Sequence, residues 1–319
     1  TGALGDGTTT ERPTPVLVTG LPPISSVAAG ESSTCALATD HSVWCWGGNT
    51  NGQLGDGTTN QQSSPVQVSG LSGATAVAGG GNHTCALVAG AVRCWGANSS
   101  GQLGNGTTVQ SAVPVPVTGL SGVSAIAAGG GKLRTDRFRR DEVLGFDFSG
   151  QLGDGTTTNA FRPVCIFESG VQSIAAGEGH SLVVKTDGSL WAMGRNEFGQ
   201  LGDGTTTMRT SPVMVLAGGV QSVAAGNDHS LIVKTDGSLW AMGRNDEGQL
   251  GDGTTTMRTV PVEIVSGGVA WLWGGYHSLF AKADGSVWGM GSNWSGQLGD
   301  GTRDFRASLT FFSPNGLVA

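Results

Sequence analysis

Short apolar and β-prone runs, separated by turn residues, recur along the whole chain. The segment after Gly199 contains four such runs, at residues 212–215, 220–225, 230–234 and 239–242. Asp236-Gly237 separates the last two runs and is a strong hairpin signal. The pattern therefore predicts four short strands in an up-and-down order, joined by tight turns.

A glycine-rich segment, GQLGDGTT with small variations, repeats the four-strand pattern at an interval of 48 to 50 residues. Its seven copies begin at Gly2, Gly52, Gly101, Gly150, Gly199, Gly248 and Gly296. Four-stranded units at a fixed period are typical of propeller blades. We therefore predict an all-β propeller in a single domain, residues 1–319, with about 49 residues per blade.

Three segments of the repeat also carry a family resemblance. AAGxxHSL, DGSLWAMG and GxNxxGQLGDGTT resemble the regulator of chromosome condensation repeat family. The resemblance covers nearly the whole chain and fails only over residues 132–144. It implies a seven-bladed β-propeller and is typical of a bacterial secreted or surface member.

The ends of the chain bear on the number of blades. Complete blades begin near residues 24, 74, 123, 171, 220 and 269, which makes six. Residues 1–23 then hold an extra loop and outer strand, and the chain ends at GLVA, where the family pattern would continue. We predict a seven-bladed ring with an incomplete seventh blade, cut from a longer chain. The alternative is six blades with an extra tail. Open strand edges in an incomplete blade would favour self-association.

Composition narrows the classes of partner. The net charge of -7 argues against nucleic acid, since phosphate binding needs clustered Lys and Arg. No apolar run approaches the roughly 20 residues that span a bilayer. Each repeated loop offers one carboxylate, such as Asp56, whereas calcium takes six to eight oxygens. We therefore expect no metal, no cofactor and no membrane span.

One blade departs from the pattern. Residues 132–145 read KLRTDRFRRDEVLG, where the first blade has TCALATDHSVWCWG. For a suitable choice of codons, reading one nucleotide later restores Cys-Ala-Leu and Cys-Trp-Gly in register, so we hypothesise two compensating frame slips. The alternative is a basic docking patch formed by Lys132, Arg134, Arg137, Arg139 and Arg140.

Two cysteine pairs occupy facing arms of single predicted hairpins. They are Cys35 with Cys45 and Cys85 with Cys94, at positions held by Leu182 with Ala192 and Leu231 with Ala241 in later blades. Opposed cross-strand positions lie within disulfide range. We predict two disulfides, a free Cys165 and an oxidising compartment, either extracellular, at the cell surface or periplasmic. Buried free thiols are the alternative.

The repeated His and Trp positions indicate structure rather than chemistry. His83, His180, His229 and His277 share one repeat position, whereas a catalytic constellation is normally unrepeated. Trp46, Trp95, Trp191, Trp240 and Trp288 recur on one strand and are typical of packing between blades. No known catalytic motif is present. We expect no enzymatic activity.

The residues that vary between copies concentrate in loops of one predicted face. They are Glu178, Arg195, Phe198, Asp228, Arg244, Asp246, Glu247, Tyr276 and Trp294. Aromatic and Arg residues are favoured anchors of protein interfaces. We predict that Arg195, Phe198, Arg244, Tyr276 and Trp294 bind another protein.

The resemblance also implies two alternative functions. One is an inhibitor of the propeller-type β-lactamase inhibitory kind. The other is a guanine-nucleotide exchange factor for a small GTPase, which in the family needs a projecting wedge. Repeat intervals of 48 to 50 residues leave no room for that insertion.

Overall fold

The computed structural model describes residues 1–137 and 139–312, and these form six antiparallel sheets, which we call blades 1 to 6. Blade 1 consists of β1 (Ile24–Ala29), β2 (Ser33–Ala38), β3 (Val43–Gly47) and β4 (Gln62–Gln67). Blade 2 consists of β5 (Ala74–Gly79), β6 (His83–Val88), β7 (Ala91–Gly96) and β8 (Ser111–Pro116). Blade 3 consists of β9 (Val123–Gly129), β10 (Lys132–Arg137), β11 (Arg140–Gly145) and β12 (Ala160–Phe167).

The other three blades repeat this arrangement. Blade 4 consists of β13 (Val171–Ala176), β14 (His180–Lys185), β15 (Leu190–Gly194) and β16 (Arg209–Leu216). Blade 5 consists of β17 (Val220–Ala225), β18 (His229–Lys234), β19 (Leu239–Gly243) and β20 (Arg258–Val265). Blade 6 consists of β21 (Val269–Gly274), β22 (His277–Lys282), β23 (Val287–Gly291) and β24 (Arg306–Phe312). In every blade, strands that are consecutive in sequence are neighbours in the sheet, which confirms the predicted four-strand blade.

The prediction of a seven-bladed ring with an incomplete seventh blade was wrong, because residues 1–23 contribute no strand and the described residues form six sheets. The first loop begins no sheet of its own and packs against blade 1. Gly7 N donates to Ser63 O at 2.9 Å, and Trp46 Nε1 donates to Ala3 O at 2.9 Å. Residues 11–15 lie against the last loop, where Gly301 N donates to Pro13 O at 2.8 Å.

Six blades, the alternative, are formed by residues 24–137 and 139–312. The expected self-association therefore loses the incomplete blade on which it was based. The terminal GLVA segment, residues 316–319, lies outside the described residues. None of the described residues belongs to a helix long and apolar enough to cross a membrane.

The glycine-rich loops are held by their own polar side chains. In the second copy, Asp56 Oδ1 accepts hydrogen bonds from Thr58 N and Thr58 Oγ1, both at 2.9 Å. Asn49 Nδ2 donates to Asp56 Oδ1 at 3.2 Å, and Asn49 Oδ1 accepts from Leu54 N at 3.0 Å. Gly55 has a φ of 71°, and a Cβ there would lie 2.7 Å from Trp95 Nε1. The Asp and the glycines therefore have a structural role, as their composition predicts.

The chain divides into two compact units. Unit 1 comprises Thr1–Thr10, Val16–Phe148 and Thr157–Ile174 and contains blades 1 to 3. Its core packs the two cysteine pairs with Trp95 and leucines such as Leu54 and Leu103. Unit 2 comprises Glu11–Pro15, Ser149–Thr156 and the described chain from Ala175, and contains blades 5 and 6 and most of blade 4. Its cores gather leucine, valine and methionine side chains such as Leu231 and Met242.

Both predicted disulfides are present in unit 1. Cys35 is bonded to Cys45 across β2 and β3, and Cys85 to Cys94 across β6 and β7. In unit 2 the same register pairs Leu182 with Ala192 and Leu231 with Ala241, as expected from the aligned repeats. Cys165 forms no disulfide, as predicted.

Blade 3 contains charged side chains at core positions. Arg134 lies opposite Val143, in the register that pairs Cys85 with Cys94 in blade 2. Lys132, Arg134 and Asp141 are fully buried, and Arg134 forms a salt bridge with Asp141. The alternative of a basic docking patch is therefore wrong for Lys132 and Arg134, which do not reach the surface.

Candidate functional site

Six loops of unit 2 form the surface on which the predicted binding residues lie. They are residues 177–179, 195–198, 226–228, 244–247, 275–276 and 292–295, which we call the unit 2 rim. Within a blade, the loop after the first strand is hydrogen-bonded to the loop after the third strand. Arg195 N donates to Gly179 O at 2.8 Å, and Arg244 N donates to Asp228 O at 2.9 Å. This pairing places both kinds of variable loop on one face.

Asp228 is the buried centre of the charged groups on this rim. Its side chain is 8% exposed and accepts a hydrogen bond from Arg195 Nη1 at 3.3 Å. Arg244 Nη1 lies 3.6 Å from the other carboxylate oxygen. Burial raises the pKa of Asp228, while the two guanidinium groups act in the opposite direction. Asp228 therefore connects two arginines that come from consecutive blades.

Each of these arginines has a second carboxylate partner in its own loop. Arg195 donates through Nε and Nη2 to Glu197 Oε2, at 3.1 and 2.6 Å. Arg244 donates to the two oxygens of Asp246, both at 2.7 Å. Two-point contacts of this kind fix the orientation of a guanidinium group. The arginines are consequently held in place before any partner binds.

Phe198 lies between the two arginines. Its ring centroid is 5.7 Å from Arg195 Cζ and 5.2 Å from Arg244 Cζ, within the range of cation–π attraction. Its backbone N–H donates to Gln200 Oε1 at 3.0 Å. The structure thus brings together three of the five predicted residues in one cluster.

The other two predicted residues flank a cavity of about 350 Å³ in the same rim. Tyr276 and Trp294 are 54% and 61% exposed, and both line this cavity together with Asp228, Arg244 and Glu247. Trp294 Nε1 donates to Glu247 Oε1 at 2.8 Å. Arg244 therefore belongs to both groups and links the Phe198 cluster to the cavity.

Repeated His and Ser residues lie beneath the rim and join neighbouring blades. His229 lines the cavity, and its Nε2 lies 2.7 Å from Ser278 Oγ. Ser278 Oγ donates its only hydrogen to Gln249 O at 2.7 Å, so the imidazole must be the donor to the hydroxyl. His180 and Ser230 form the same contact one blade earlier, at 2.9 Å. This repetition supports the structural role predicted for the histidines.

Sequence comparison between the copies missed several residues of this site. Gln249 and His229 line the cavity although they are the same in the repeated copies. Trp271 on β21 is also 52% exposed, where blade 5 has Ser222, but it does not line the cavity. Its difference from Ser222 in the aligned copy was the signal that could have found it.

The predicted Trp set divides into two kinds of position. Trp46 and Trp95 are buried and bond to backbone carbonyls of a preceding loop, at 2.9 Å in each case. The others, Trp191, Trp240 and Trp288, are half-buried and each lies beneath a lysine ammonium group. Neither arrangement forms a ligand cage.

The repeats match a known family over most of the chain. The regulator of chromosome condensation (RCC1) repeat profile matches six segments, residues 1–37, 40–87, 89–131, 143–184, 187–233 and 236–280. A second RCC1 repeat profile matches residues 24–53, 171–200 and 220–249. The chain belongs to the RCC1 repeat family. Neither profile matches residues 132–142, which lie in the divergent hairpin of blade 3. No curated protein sequence matched the chain significantly.

Solved structures with the same fold include other RCC1 repeat proteins. Human WBSCR16 is 23% identical, with a TM-score of 0.84, over 95% of this chain and 84% of its own. Prp20p from Saccharomyces cerevisiae is 24% identical, with a TM-score of 0.80, over 91% of this chain and 77% of its own. Prp20p is described as binding Gsp1p and histones. At these identities, the similarity to both proteins establishes the β-propeller fold of this chain and nothing further.

Proposed function

We propose that the protein is a non-enzymatic binding module that recognises another protein through the unit 2 rim. The observation that carries this proposal is the cluster of Arg195, Phe198 and Arg244 around Asp228, beside exposed Tyr276 and Trp294. Trp, Tyr and Arg dominate the binding energy of protein interfaces. Because the arginines are already oriented by carboxylates, binding costs little additional side-chain ordering.

The relatives and the disulfides support the proposal at a coarser level. Prp20p binds Gsp1p and, in a second structure, is bound to Kap60, so a related propeller is used for protein recognition. The two disulfides favour a location outside the reducing cytosol, at the cell surface or in an extracellular or periplasmic space. No specific observation favours the β-lactamase inhibitor or the nucleotide exchange factor.

The proposal is tested by capturing partners from the secreted fraction of the source organism. The test variant is the triple substitution Phe198→Ala, Tyr276→Ala and Trp294→Ala. The matched control is Met208→Ala, Met257→Ala and Val260→Ala, which removes exposed apolar side chains outside the rim.

We expect a protein captured by the native chain and by the control but lost with the rim variant. Equal capture by all three chains would show that the rim is not the binding surface. Turnover of a substrate in an activity screen would contradict the non-enzymatic function.

A further inference from the structure

The cavity in the unit 2 rim has features that specify the chemistry of its occupant. This inference rests on the proposed function of the rim. The cavity volume of about 350 Å³ is at the lower end of the range for ligand pockets, roughly 300–1,000 Å³. It can admit one long side chain of a partner rather than a folded element.

Blade 6 brings two aromatic residues to this cavity at positions that are small or acidic in blade 4. Tyr276 directly precedes His277, as Gly179 precedes His180. Trp294 directly follows Asn293, as Glu197 follows Asn196. More than half of each aromatic side chain is exposed. The faces of Trp and Tyr attract cations, by about 0.5–2 kcal/mol according to the degree of desolvation.

Carboxylates outnumber cations in the rim loops. The described residues of the rim include five carboxylates, Glu178, Glu197, Asp228, Asp246 and Glu247, and two guanidinium groups, Arg195 and Arg244. Both guanidinium groups already contact two carboxylates each. The rim therefore carries a formal excess of three negative charges, and its arginines are engaged within the protein.

Glu247 places this negative charge beside the exposed indole. Its Oε1 accepts the hydrogen bond from Trp294 Nε1, and the residue lines the cavity with Tyr276. A cation entering the cavity would meet the Tyr276 and Trp294 side chains and a carboxylate together. The charged residues that line the cavity are Asp228, Glu247 and Arg244, and Arg244 is already paired with Asp228 and Asp246, so an incoming carboxylate would meet an excess of negative charge.

We propose that the cavity binds the Lys or Arg side chain of a basic segment in the partner protein, with Tyr276 and Trp294 against its stem and Glu247 pairing its charge. The partner is thus a protein with an exposed basic segment. An acidic peptide or a purely apolar helix does not complement this surface.

The test measures the binding of two fluorescent peptides of equal length, an oligoarginine and an oligoglutamate, to the full chain by anisotropy. Trp294→Ala and Glu247→Gln remove the ring and the charge. Glu263→Gln is the matched control, because it removes the same charge from an exposed position on β20. Circular dichroism confirms that each variant is folded.

We expect the oligoarginine to bind, more weakly as salt rises through about 0.15 M, and each rim substitution to weaken it by about tenfold. Glu263→Gln should change the affinity by less than about twofold, which is the range for an exposed unpaired charge. Equal effects of Glu247→Gln and Glu263→Gln would reveal only a general charge attraction and overturn the proposal. So would oligoarginine binding that is insensitive to Trp294→Ala, or no binding at all.

The two proposals fail in different ways. Oligoglutamate binding that depends on Trp294 would overturn the basic partner and leave the rim as the recognition surface. Failure of the proposed rim function would appear in the capture experiment instead. There, the triple variant at Phe198, Tyr276 and Trp294 would capture a partner as well as the native chain does.

Discussion

Two buried imidazoles, His83 and His229, are held neutral by the protein. Each is 1% exposed, and burial lowers the pKa of His83 to about 4 and that of His229 to about 3. In the unfolded chain an imidazole titrates near pH 6.5. Between these values the unfolded chain binds protons that the folded chain does not, so the free energy of unfolding rises with pH.

The first prediction is a loss of stability as the pH falls below 6.5. Each of the two histidines should reduce the free energy of unfolding by about 2 kcal/mol between about pH 6.5 and pH 5. Urea unfolding at a series of pH values measures this dependence. In the His83→Leu variant, the free energy of unfolding should depend less steeply on pH, by the contribution of one imidazole. An unchanged slope in that variant would show that His83 is not responsible.

His83 also shows how a change in one blade affects its neighbour. His180 and His229 each bond to a serine in the next blade, whereas the equivalent position after His83 is Leu133. The His83 ring lies against the Lys132 backbone instead, and neither ring nitrogen forms a well-aligned hydrogen bond among the described residues. An unpaired buried polar group is destabilising. We therefore expect the altered hairpin to lower the stability of blade 2 as well as that of blade 3.

At the scale of the element, the hairpin of β10 and β11 keeps its strands although its core residues are charged. Arg134 lies where blade 4 has Leu182, and Asp141 lies where blade 4 has Leu190. Arg134 Nε donates to Asp141 Oδ1 at 3.1 Å, and both side chains are fully buried. Removing two charges from water costs free energy, and the attraction between the two charges offsets only part of this desolvation cost.

The second prediction concerns this buried pair. The double substitution Arg134→Leu and Asp141→Leu copies blade 4 and should raise the free energy of unfolding by about 1–4 kcal/mol. Arg134→Leu alone leaves Asp141 buried without its cation and should lower it by about 3–5 kcal/mol. Thermal and urea unfolding of the two single variants and the double variant measure the coupling. Additive effects would mean that the pair does not interact in solution.

The strands were largely predictable from the sequence, whereas the altered hairpin was not. β17 was predicted as residues 220–225 and occupies Val220–Ala225, because apolar runs and turn residues mark its ends locally. The strand predicted at 212–215 extends over Arg209–Leu216, since pairing with β15 adds residues that lack an apolar signal. In β10, by contrast, neighbouring blades impose the strand on a sequence that does not favour it.

At the scale of the whole molecule, the number of blades depended on what each repeated loop packs against. The chain has seven loop copies but six sheets among its described residues, because the copy at Gly2 packs on blade 1 through Ser63 and Trp46 instead of starting a sheet. Composition carries no information on such long-range packing. The sequence therefore shows the period of the repeat, but it does not show which blade the first loop packs against.

The candidate site was partly predictable for the same reason. Variation between copies selects Arg195, Phe198 and Arg244, and their contacts confirm that they lie together. The cavity beside them depends on the spacing of blades 5 and 6, which no local pattern encodes. Comparison of the copies therefore does not select Gln249, which lines the cavity but is the same in the repeated loops.

The third prediction follows from the uneven distribution of the disulfides. Both lie in unit 1, where Cys35 is bonded to Cys45 and Cys85 to Cys94, and each closes a short loop that contributes about 2–3 kcal/mol. In repeat proteins stability is approximately a sum of local terms, so separate regions can open independently. Reduction should therefore destabilise blades 1 and 2 while blade 5 keeps its protection.

Hydrogen exchange resolved by peptide, with and without reductant, measures this difference in a Cys165→Ser chain that cannot exchange disulfides through its free thiol. Protection of the amides in β2 and β6 should fall by roughly thirtyfold to a hundredfold, whereas that of β18 should stay the same. Equal loss in β18 would show that the chain unfolds as one cooperative body. Unchanged protection in β2 would mean that the Cys35 to Cys45 bond does not stabilise its hairpin, because the reduced strands would then be held by blade packing alone.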